Sequence, residues 1–411
     1  MVKLLIIADD FTGALDTGVQ FVKQGIRTQV STTAEMDLSN IPEEIQVLSV
    51  DLETRHLPPK QAYEKVKIAA KAAREKGIKH VYKKTDSTLR GNIGAELSAL
   101  MDAFEGNPMA FIPAYPANGR TTSQGYQLVD GLPVHNTQFA VDSLNPVTES
   151  FIPHIIGMQC DKKVELAYVD SCKCSEKNTI YVFDAETEEQ LANVSAGLKG
   201  NGFSGSLAGC AGLAGYLPGF FGLRAELNRK NRTVEHGSML IVCGSVNQVS
   251  IEQCQYAFTK GISGVTLTPR QKFEYGYWNT SEGISEISVY SAICKKEGRL
   301  LISSCTNSEE AQNMELPVGI TAGSIAEQIS VLIETLINRG DISRLVVFGG
   351  DTAIAIMNRL GVSCITPFAE LLPGVVASTM AASGRELMMV TKAGGFGTID
   401  TLVKTIELIN I

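Results

Sequence analysis

Apolar runs and amphipathic segments alternate through the first 115 residues. Residues 3–8 contain a continuous apolar run, which predicts a buried strand of a parallel sheet. Residues 12–24 have one apolar face and are followed by Gly25, which predicts a helix and its end. The alternation continues with predicted strands at 45–50, 81–82 and 109–112, and with helices at 58–77 and from 93 onward. This order favours a doubly wound parallel sheet with helices on both faces.

A polar stretch at residues 228–237 interrupts the pattern. We place a domain boundary there, with domains at residues 1–232 and 233–411. A second α/β pattern follows, so the prediction is an α/β protein of two domains, each with a largely parallel sheet flanked by helices. Before the boundary, the leucines and phenylalanines of residues 202–222 favour a helix packed on a sheet. The strands predicted after it are residues 239–243, 264–268, 299–303, 344–348 and 386–390.

Composition narrows the classes of function. The 411 residues are 44% hydrophobic and 19% charged, which is typical of globular proteins. A formal net charge of -8 argues against a nucleic-acid surface, and the apolar runs are too short to span a bilayer. No signal-like segment follows Met1, so we expect a cytoplasmic protein. The nine cysteines and five histidines are dispersed, which favours reduced thiols over a metal site.

Polar residues follow three of the predicted strands in the first domain. Asp9 and Asp10 follow one strand, Arg55 follows the next, and residues 83–87 end the third. Because the carboxyl ends of parallel strands meet at one edge of a sheet, these side chains are expected to converge on one crevice. Its cations suit a carboxylate and its carboxylates suit hydroxyl groups. The sequence therefore predicts a pocket for a small polyhydroxy acid.

The segment at residues 84–94 leads from a strand into a helix, and its glycines and helix N-terminus suit an anion. An ordinary capped turn is the alternative for any one such segment, but three polar turns on one edge favour a site. The loop at residues 113–122 carries Arg120 and either closes over a substrate or is a rigid connection. His135 is a candidate acid or base, although a lone histidine is more often structural.

Three glycine-bearing turns follow predicted strands of the second domain. They are Gly244-Ser245, Gly349-Gly350-Asp351-Thr352 and Gly394-Gly395. Backbone amides in such turns can cradle phosphates. The chain has neither a Walker A sequence nor the common dinucleotide fingerprint, so the prediction is an unconventional phosphate or nucleotide cradle. Asp351 is a candidate contact for Mg²⁺, directly or through water.

Four segments together resemble the four-carbon acid sugar kinases: residues 8–14, 84–92, 349–352 and 392–397. This family includes threonate, erythronate and 3-oxo-tetronate kinases, and the resemblance runs from about residue 3 to residue 405. It implies that the N-terminal domain binds the acid sugar, that the C-terminal domain binds ATP, and that the active site is in the inter-domain cleft. The Lys-Thr-Asp-Ser-Thr-Leu-Arg sequence at residues 84–90 is closer to the threonate and erythronate kinases.

The function predicted from this resemblance is ATP- and Mg²⁺-dependent phosphorylation of the terminal (C4) hydroxyl of D-threonate, L-threonate or D-erythronate. Arg55 and Lys84 would hold the carboxylate, and either Asp10 or Asp86 would deprotonate the hydroxyl. The predicted substrate-binding residues are Asp9, Asp10, Arg55, Lys84, Thr85, Asp86, Ser87 and Arg90. The predicted nucleotide-binding residues are Ser245, Gly349, Gly350, Asp351, Thr352, Gly394 and Gly395.

Two other hypotheses stay open at this point. A nucleotide-dependent dehydrogenase or synthase would suit two α/β domains, although the missing dinucleotide fingerprint counts against it. A non-catalytic sugar-acid sensor would suit the first domain, although a sensor has no need for the phosphate cradles of the second. The expected partners are the acid sugar and ATP, without nucleic acid or membrane, and a homodimer is compatible with the sequence.

Overall fold

The computed structural model describes residues 1–33, 41–142, 144–169, 173–225, 237–245, 247–306, 322–340, 342–392 and 395–409. The chain divides into two compact units, Met1–Arg229 and Lys230–Ile411. The predicted boundary at 232/233 falls in residues 226–236, outside the described residues, and it stays a prediction. The expected cleft between the domains also stays a prediction.

The first unit contains a parallel sheet of eight described strands flanked by helices. Its order is β2-β3-β1-β4-β11-β5-β10-β9. The strands are β1 (Leu4–Ala8), β2 (Thr28–Ser31), β3 (Val47–Asp51), β4 (His80–Lys84), β5 (Met109–Ile112), β6 (Arg120–Ser123), β7 (Tyr126–Val129), β8 (Leu132–Pro133), β9 (Lys163–Ala167), β10 (Thr179–Phe183) and β11 (Ser206–Gly209). The helices are α1 (Phe11–Lys23), α2 (Pro59–Glu75), α3 (Ile93–Ala103), α4 (Ile152–Gly157), α5 (Glu188–Gly200) and α6 (Ala211–Ala214).

The central strand β1 is apolar throughout because both faces of the sheet are covered. Leu5 and Ile7 pack in one apolar core, and Leu4 and Ile6 pack in the other. Helix α2 contributes Val66, Ala69, Ala70 and Ala73 to the first core, whereas α1 contributes Phe21 to the second. The doubly wound parallel sheet predicted from the sequence is confirmed.

Two segments of the first unit differ from their predictions. Residues 202–222 were expected to form a helix, but they form β11 between β4 and β5 and then the short helix α6. Small residues explain the difference: a side chain on Gly209 would collide with the carbonyl oxygen of Ile112 in the neighbouring strand. The loop after β5 contains a small antiparallel sheet, β6-β7-β8, rather than irregular turns alone.

The second unit contains a sheet whose described strands run in the order β13-β14-β12-β15-β18-β17-β16. The pairs from β13 to β18 are parallel, and β17 and β16 continue the sheet antiparallel. The strands are β12 (Ser238–Cys243), β13 (Gly264–Thr266), β14 (Arg299–Ser303), β15 (Ile342–Phe348), β16 (Cys364–Leu372), β17 (Val375–Ala382) and β18 (Arg385–Lys392). The helices are α7 (Gln248–Thr259), α8 (Pro269–Phe273), α9 (Ser281–Glu297), α10 (Ala322–Arg339), α11 (Gly350–Arg359) and α12 (Thr401–Ile409).

The predicted strands of the second unit are all present, within a few residues of their predicted bounds. Strands β16 and β17 were missed, because neither follows the strand-helix alternation used to find the others. Among the described residues, no helix is long and apolar enough to cross a membrane.

Candidate active site

Three neighbouring strands of the first sheet bring the predicted acidic turns together. Strand β1 lies between β3 and β4, so the residues that follow these strands emerge at one edge of the sheet. Asp10 is also the N-cap of α1. Its carboxylate accepts hydrogen bonds from the Gly13 amide at 2.9 Å and the Thr12 hydroxyl at 2.7 Å. Its position is therefore fixed by the start of the helix.

Arg55 joins the carboxylates of this edge. Its Nε donates to Asp9 at 2.7 Å, and its two terminal nitrogens lie 2.8 and 2.7 Å from the two oxygens of Asp10. One of them is also 3.7 Å from Asp86. Burial would lower the pKa of Arg55, but Asp10, Asp9 and Asp86 outweigh it and raise that pKa well above its ordinary value. Burial likewise opposes ionisation of Asp10, but Arg55 and Lys84 hold its pKa below the usual value.

Asp86 is held by the residues that follow it. Arg90 binds it in a two-pronged ion pair, with Nε at 2.8 Å and Nη2 at 3.0 Å from its two oxygens. The amides of Thr88 and Arg90 each lie 3.3 Å away, and the Thr88 hydroxyl also donates. Burial would raise the pKa of Asp86, but Arg90 and Arg55 outweigh it and hold that pKa well below the ordinary value. Asp86 is therefore ionised and locks the turn at residues 86–90.

Lys84 is a buried cation beside the first turn. Its Nζ donates to the Thr85 carbonyl at 2.8 Å. A Cβ on Gly13 would lie 2.8 Å from this Nζ and would collide with the Asp10 carboxylate, so only glycine fits between them. Burial would lower the pKa of Lys84, but Asp16 and the two aspartates of the first turn raise it to about 12. Lys84 is thus charged at neutral pH.

Thr85 and Ser87 complete the turn mainly through their backbone. The Thr85 amide donates to the Gly209 carbonyl at 2.8 Å, and the Ser87 carbonyl accepts from Gln127 Nε2 at 2.7 Å. The first bond ties the turn to β11 and the second ties it to β7. Both residues are buried at this edge, and their predicted contact with substrate stays a prediction.

Lys83 was predicted to face this crevice, and that prediction is wrong. Side chains alternate along β4, so Lys83 and Lys84 point to opposite faces of the sheet. Lys83 is fully buried and pairs with Glu96 of α3 at 2.7 Å. It also donates to the Ile7 carbonyl at 3.2 Å. Its charge is therefore used inside the fold.

Asp51 is a further carboxyl group that sequence reasoning missed. It is the last residue of β3 and is 1% exposed. One oxygen accepts the Glu53 amide at 2.8 Å, and no described residue donates to the other. Burial raises the pKa of Asp51 well above the ordinary value, with Asp10 and Asp9 acting in the same direction. An acidic residue at the end of an apolar strand was the available signal, but the strand was predicted to end at residue 50.

The β6-β7-β8 segment brings Arg120 towards the Asp86 turn. The guanidinium groups of Arg120 and Arg90 lie 6.0 and 5.3 Å from the centroid of the Phe139 ring. Burial lowers the pKa of Arg120, while the nearby charge of Asp86 acts against that shift. The loop therefore brings Arg120 near the Asp86 turn, and closure over a substrate stays a prediction.

Glycine turns of the second unit meet at the edge formed by β12 and β15. The amides of Gly244 and Ser245 both lie 3.2 Å from the Phe348 carbonyl. Gly349 is the N-cap of α11 at φ 121°, a conformation that favours glycine. A Cβ on Gly349 would lie 3.2 Å from the Ser245 nitrogen, and one on Gly244 would collide with Thr352. The two turns therefore approach closely, and no side chain caps the first amides of α11.

Lys392 ends β18 at the same edge and was not predicted as a site residue. It is fully buried, donates to the Phe396 carbonyl at 2.9 Å, and lies 4.8 Å from the Phe348 ring centroid. Burial lowers the pKa of Lys392 to about 7. Gly395 directly precedes Phe396, whose carbonyl accepts the Lys392 hydrogen bond. Gly394 lies outside the described residues. Asp351 is exposed in the first turn of α11.

The next question is which side chains could hold a metal ion. In the part of the chain that the structure describes, no group of three histidine, cysteine, aspartate or glutamate side chains could hold a metal ion. His135 Nδ1 lies 2.7 Å from the Ser150 hydroxyl, which suits a structural role. An ion accompanying a nucleotide would need only one or two protein oxygens, and the exposed Asp351 fits that requirement.

Comparison with known proteins decides the family. Residues 4–217 match the model of a sugar-binding N-terminal domain, and residues 240–402 match that of a nucleotide-binding C-terminal domain. A D-threonate kinase of Salmonella typhimurium is 30% identical to this chain, covering 97% of it and 96% of the relative. The chain belongs to the four-carbon acid sugar kinase family. It is therefore a carbohydrate kinase, as the sequence predicted.

Other relatives of this acid sugar kinase are named for different acids. A D-threonate kinase of Bordetella bronchiseptica is 29% identical over 98% of this chain and 96% of the relative. A D-erythronate kinase of Heliobacterium modesticaldum is 25% identical over 99% and 97%. A solved structure from Salmonella typhimurium LT2 covers 98% of this chain and 99% of its own, with a TM-score of 0.79 and 21% identity. That likeness supports the fold, and the individual acid is not decided by it.

Proposed function

We propose that this kinase transfers the γ-phosphate of ATP to the C4 hydroxyl of a four-carbon acid sugar, with D-threonate as the first candidate and L-threonate and D-erythronate as the others. The observation that carries the proposal is the ionised Asp10 held by Arg55 at the strand edge of the sugar-binding domain. Two relatives named D-threonate kinase, together with the threonate-like sequence of residues 84–90, support the first candidate.

We propose Asp10 as the general base. An arginine binds both oxygens of each carboxylate, but the side chain of Asp10 is 23% exposed, whereas that of Asp86 is 9% exposed. Asp10 is ionised at neutral pH, so it can orient the attacking hydroxyl and accept its proton. Asp86 would then fix the turn that carries Lys84, rather than take the proton itself. In this proposal Asp10 takes the proton and Asp86 positions the turn.

The substrate carboxylate would be attracted by the cations of the same edge. The three nitrogens of Arg55 already contact aspartates, so Arg55 would act mainly by its charge. Lys84 is charged and donates to the Thr85 carbonyl rather than forming an ion pair with a described carboxylate, so it would contribute the second positive charge. Hydroxyl groups of the acid would lie towards Asp9 and towards the turn that bears Thr85 and Ser87. Arg90 would support that turn by holding Asp86 in place.

ATP would bind at the glycine edge of the second unit. Close packing of Gly244 and Gly349 leaves backbone amides as the groups nearest to a ligand there. We assign the phosphates to the amides of residues 350–352 and Gly395, and keep Gly394 in that proposal. Ser245 and Gly349 would lie beside the phosphates, because their own amides donate to the carbonyls of Phe348 and Lys392. Mg²⁺ bound with ATP would neutralise phosphate charge, with Asp351 as its contact through water.

A phosphorylation screen tests the proposal. Purified protein with MgATP is offered D-threonate, L-threonate, D-erythronate, L-erythronate and 3-oxo-tetronate, and ADP and the phosphorylated acid are measured. We expect acid-dependent ADP formation, highest with D-threonate, and phosphate on C4 of the product. ATP consumption that is independent of every acid, or a product phosphorylated at another carbon, would contradict the proposal.

A further inference from the structure

We infer that Asn92 is a positioning residue that holds the turn bearing Arg55, and through it the carboxylate cluster. Asn92 is 5% exposed and directly precedes α3. Its Nδ2 donates to the carbonyls of Thr54 and Leu57 at 2.8 Å each and lies 3.5 Å from the Arg55 carbonyl. A side-chain amide has two N–H donors, and both are used on this one turn.

The geometry separates this role from ordinary helix capping. Asparagine is favoured at an N-cap because its side-chain oxygen accepts a backbone amide of the first turn, but Asn92 makes no such bond. Gln159 caps α3 instead: its Oε1 accepts the amides of Gly94 and Ala95 at 2.8 and 3.4 Å. Its Nε2 donates to the Gly91 carbonyl at 3.0 Å. The helix start is thus served by another element, while Asn92 serves the Arg55 turn.

Gly91 brings this chain segment against Arg55. It has φ 87°, which favours glycine, and a Cβ there would lie 3.0 Å from Arg55 Cγ and 3.1 Å from its carbonyl oxygen. On the other side, the amides of Thr54 and Arg55 donate to the Asp9 carbonyl at 3.0 and 3.2 Å. The turn is therefore fixed between Asp9 and the Gly91-Asn92 pair.

Loss of the Asn92 donors would act on catalysis through Arg55. The carbonyls of Thr54 and Leu57 would lose their side-chain partner, and the turn would relax away from Asp9 and Asp10. A misplacement of about 1 Å in a catalytic arrangement can reduce turnover by about 100-fold. ATP binding in the second unit would not change. The kinetic part of this inference rests on the proposed function.

Asn92→Asp separates positioning from capping. Aspartate fills the same space and caps a helix as well as asparagine, and its charge favours a helix N-terminus. It has no N–H donor, however, and would face carbonyl oxygens. We expect Asn92→Asp and Asn92→Ala to lower kcat/KM for the acid by about 10- to 100-fold, with KM for ATP unchanged. Wild-type kinetics in both variants would overturn the inference.

Asn201→Asp is the matched control, because Asn201 Nδ2 donates to the Val169 carbonyl at 3.1 Å in an exposed part of the same unit. We expect its kinetics to equal those of the wild type. In a double-mutant cycle, the variant that combines Arg55→Lys with Asn92→Ala should lose no more activity than Arg55→Lys alone, because Asn92 acts through Arg55. Fully additive losses in kcat/KM would overturn the inference.

A readout without turnover keeps this inference separate from the proposed function. The Arg55 Nε–H resonance, assigned in ¹⁵N-arginine-labelled protein by its loss in Arg55→Lys, reports on the bond to Asp9. We expect it to shift in Asn92→Ala and to stay in place in Asn201→Asp. An unshifted resonance overturns the role of Asn92, whichever acid is the substrate. A wild-type protein that phosphorylates no four-carbon acid would instead remove the proposed function.

Discussion

Three aspartates at one sheet edge differ in the direction of their pKa shifts because their nearest neighbours differ. Asp10 and Asp86 are each bound by an arginine, and the pKa of each lies below the ordinary value despite burial. Asp51 accepts a hydrogen bond from the Glu53 amide and forms no ion pair with a described cation, and burial raises its pKa well above that value. At the residue scale, a paired guanidinium therefore decides whether the pKa of a buried carboxyl group lies below or above its ordinary value.

Asp10→Asn should remove the proposed base while keeping its shape. We expect kcat to fall by about 100-fold or more, because general-base catalysis contributes roughly that much, and KM for ATP to stay within about twofold. Steady-state kinetics with the acid identified in the screen measure both. Undiminished kcat in Asp10→Asn would remove the base assignment.

Asp86→Asn should behave differently because it leaves the Arg90 guanidinium without its carboxylate. Breaking a buried ion pair costs about 3–5 kcal/mol, so we expect a comparable loss in the free energy of unfolding. Denaturant titration measures it. Normal stability combined with lost turnover would transfer the base role to Asp86.

Asp51→Asn should stabilise the protein at neutral pH. Because the folded-state pKa is raised, the stability that this group contributes is present below the unfolded pKa and is lost as pH rises through the folded pKa. Asparagine keeps an acceptor for the Glu53 amide and does not titrate. We expect a gain of about 0.5–2 kcal/mol at pH 7 that vanishes near pH 4. Unfolding titrations from pH 4 to 8 test this, and a pH-independent gain would contradict it.

Two helix starts with different caps suit different ligands. Helix α1 begins at Asp10, whose carboxylate occupies the Gly13 amide, whereas α11 begins at Gly349, which has no side chain to cap it. A helix with uncapped first amides can donate them to an anion. At the element scale, this difference favours a hydroxylated substrate near α1 and phosphates near α11.

Gly349→Ala should weaken ATP binding. The backbone conformation is strained for alanine, and the added Cβ would lie 3.2 Å from the Ser245 nitrogen. Strain of about 1–3 kcal/mol at the cradle predicts at least a roughly fivefold rise in Kd for ATP, with acid binding unchanged. Isothermal titration calorimetry measures both affinities.

Gly361→Ala is its control at the other end of α11. Gly361 has φ +68° and no neighbouring atom within 4 Å of an added Cβ, so the substitution adds backbone strain without contacting the glycine edge. We expect lower stability and unchanged ATP affinity. Equal losses of ATP affinity in the two variants would show that the effect comes from helix stability.

At the scale of the whole molecule, the two units carry separate chemistry. The charged cluster, with Arg55 at its centre, lies in the first unit, and the glycine edge lies in the second. Each unit also has apolar cores of its own. Ligand effects on the backbone should therefore be confined to the unit that binds each ligand.

Hydrogen exchange tests this division. D-threonate should slow exchange in residues 4–23 and 80–103, and MgATP should slow it in residues 238–245 and 342–359. At a ligand concentration of about 100 times Kd, the added protection is at most about 2.7 kcal/mol. Asp10→Asn is expected to keep the ATP effect. Protection of only the second unit by the acid would contradict the division.

The alternation of apolar runs and amphipathic segments was enough to predict two α/β units and half of their described strands. The reason is local: a strand buried on both faces must be apolar throughout, and a surface helix must be apolar on one side. The polar turns of Asp9-Asp10 and residues 84–87 were predictable because carboxyl ends of parallel strands share an edge. Residues 364–382 were missed because antiparallel strands need no intervening helix.

The sequence by itself determined the fold class and which turns meet. Only the tertiary structure decided how the charges of those turns pair: that Lys83 pairs with Glu96 inside the fold, that Arg55 binds Asp9 and Asp10, and that Asp51 has no cation partner in the described part of the chain. Periodicity depends on neighbours along the chain, whereas the ionisation of a buried group depends on charges within a few ångströms in space. For that reason the sequence predicted the edge, and the structure shows how its charged residues pair.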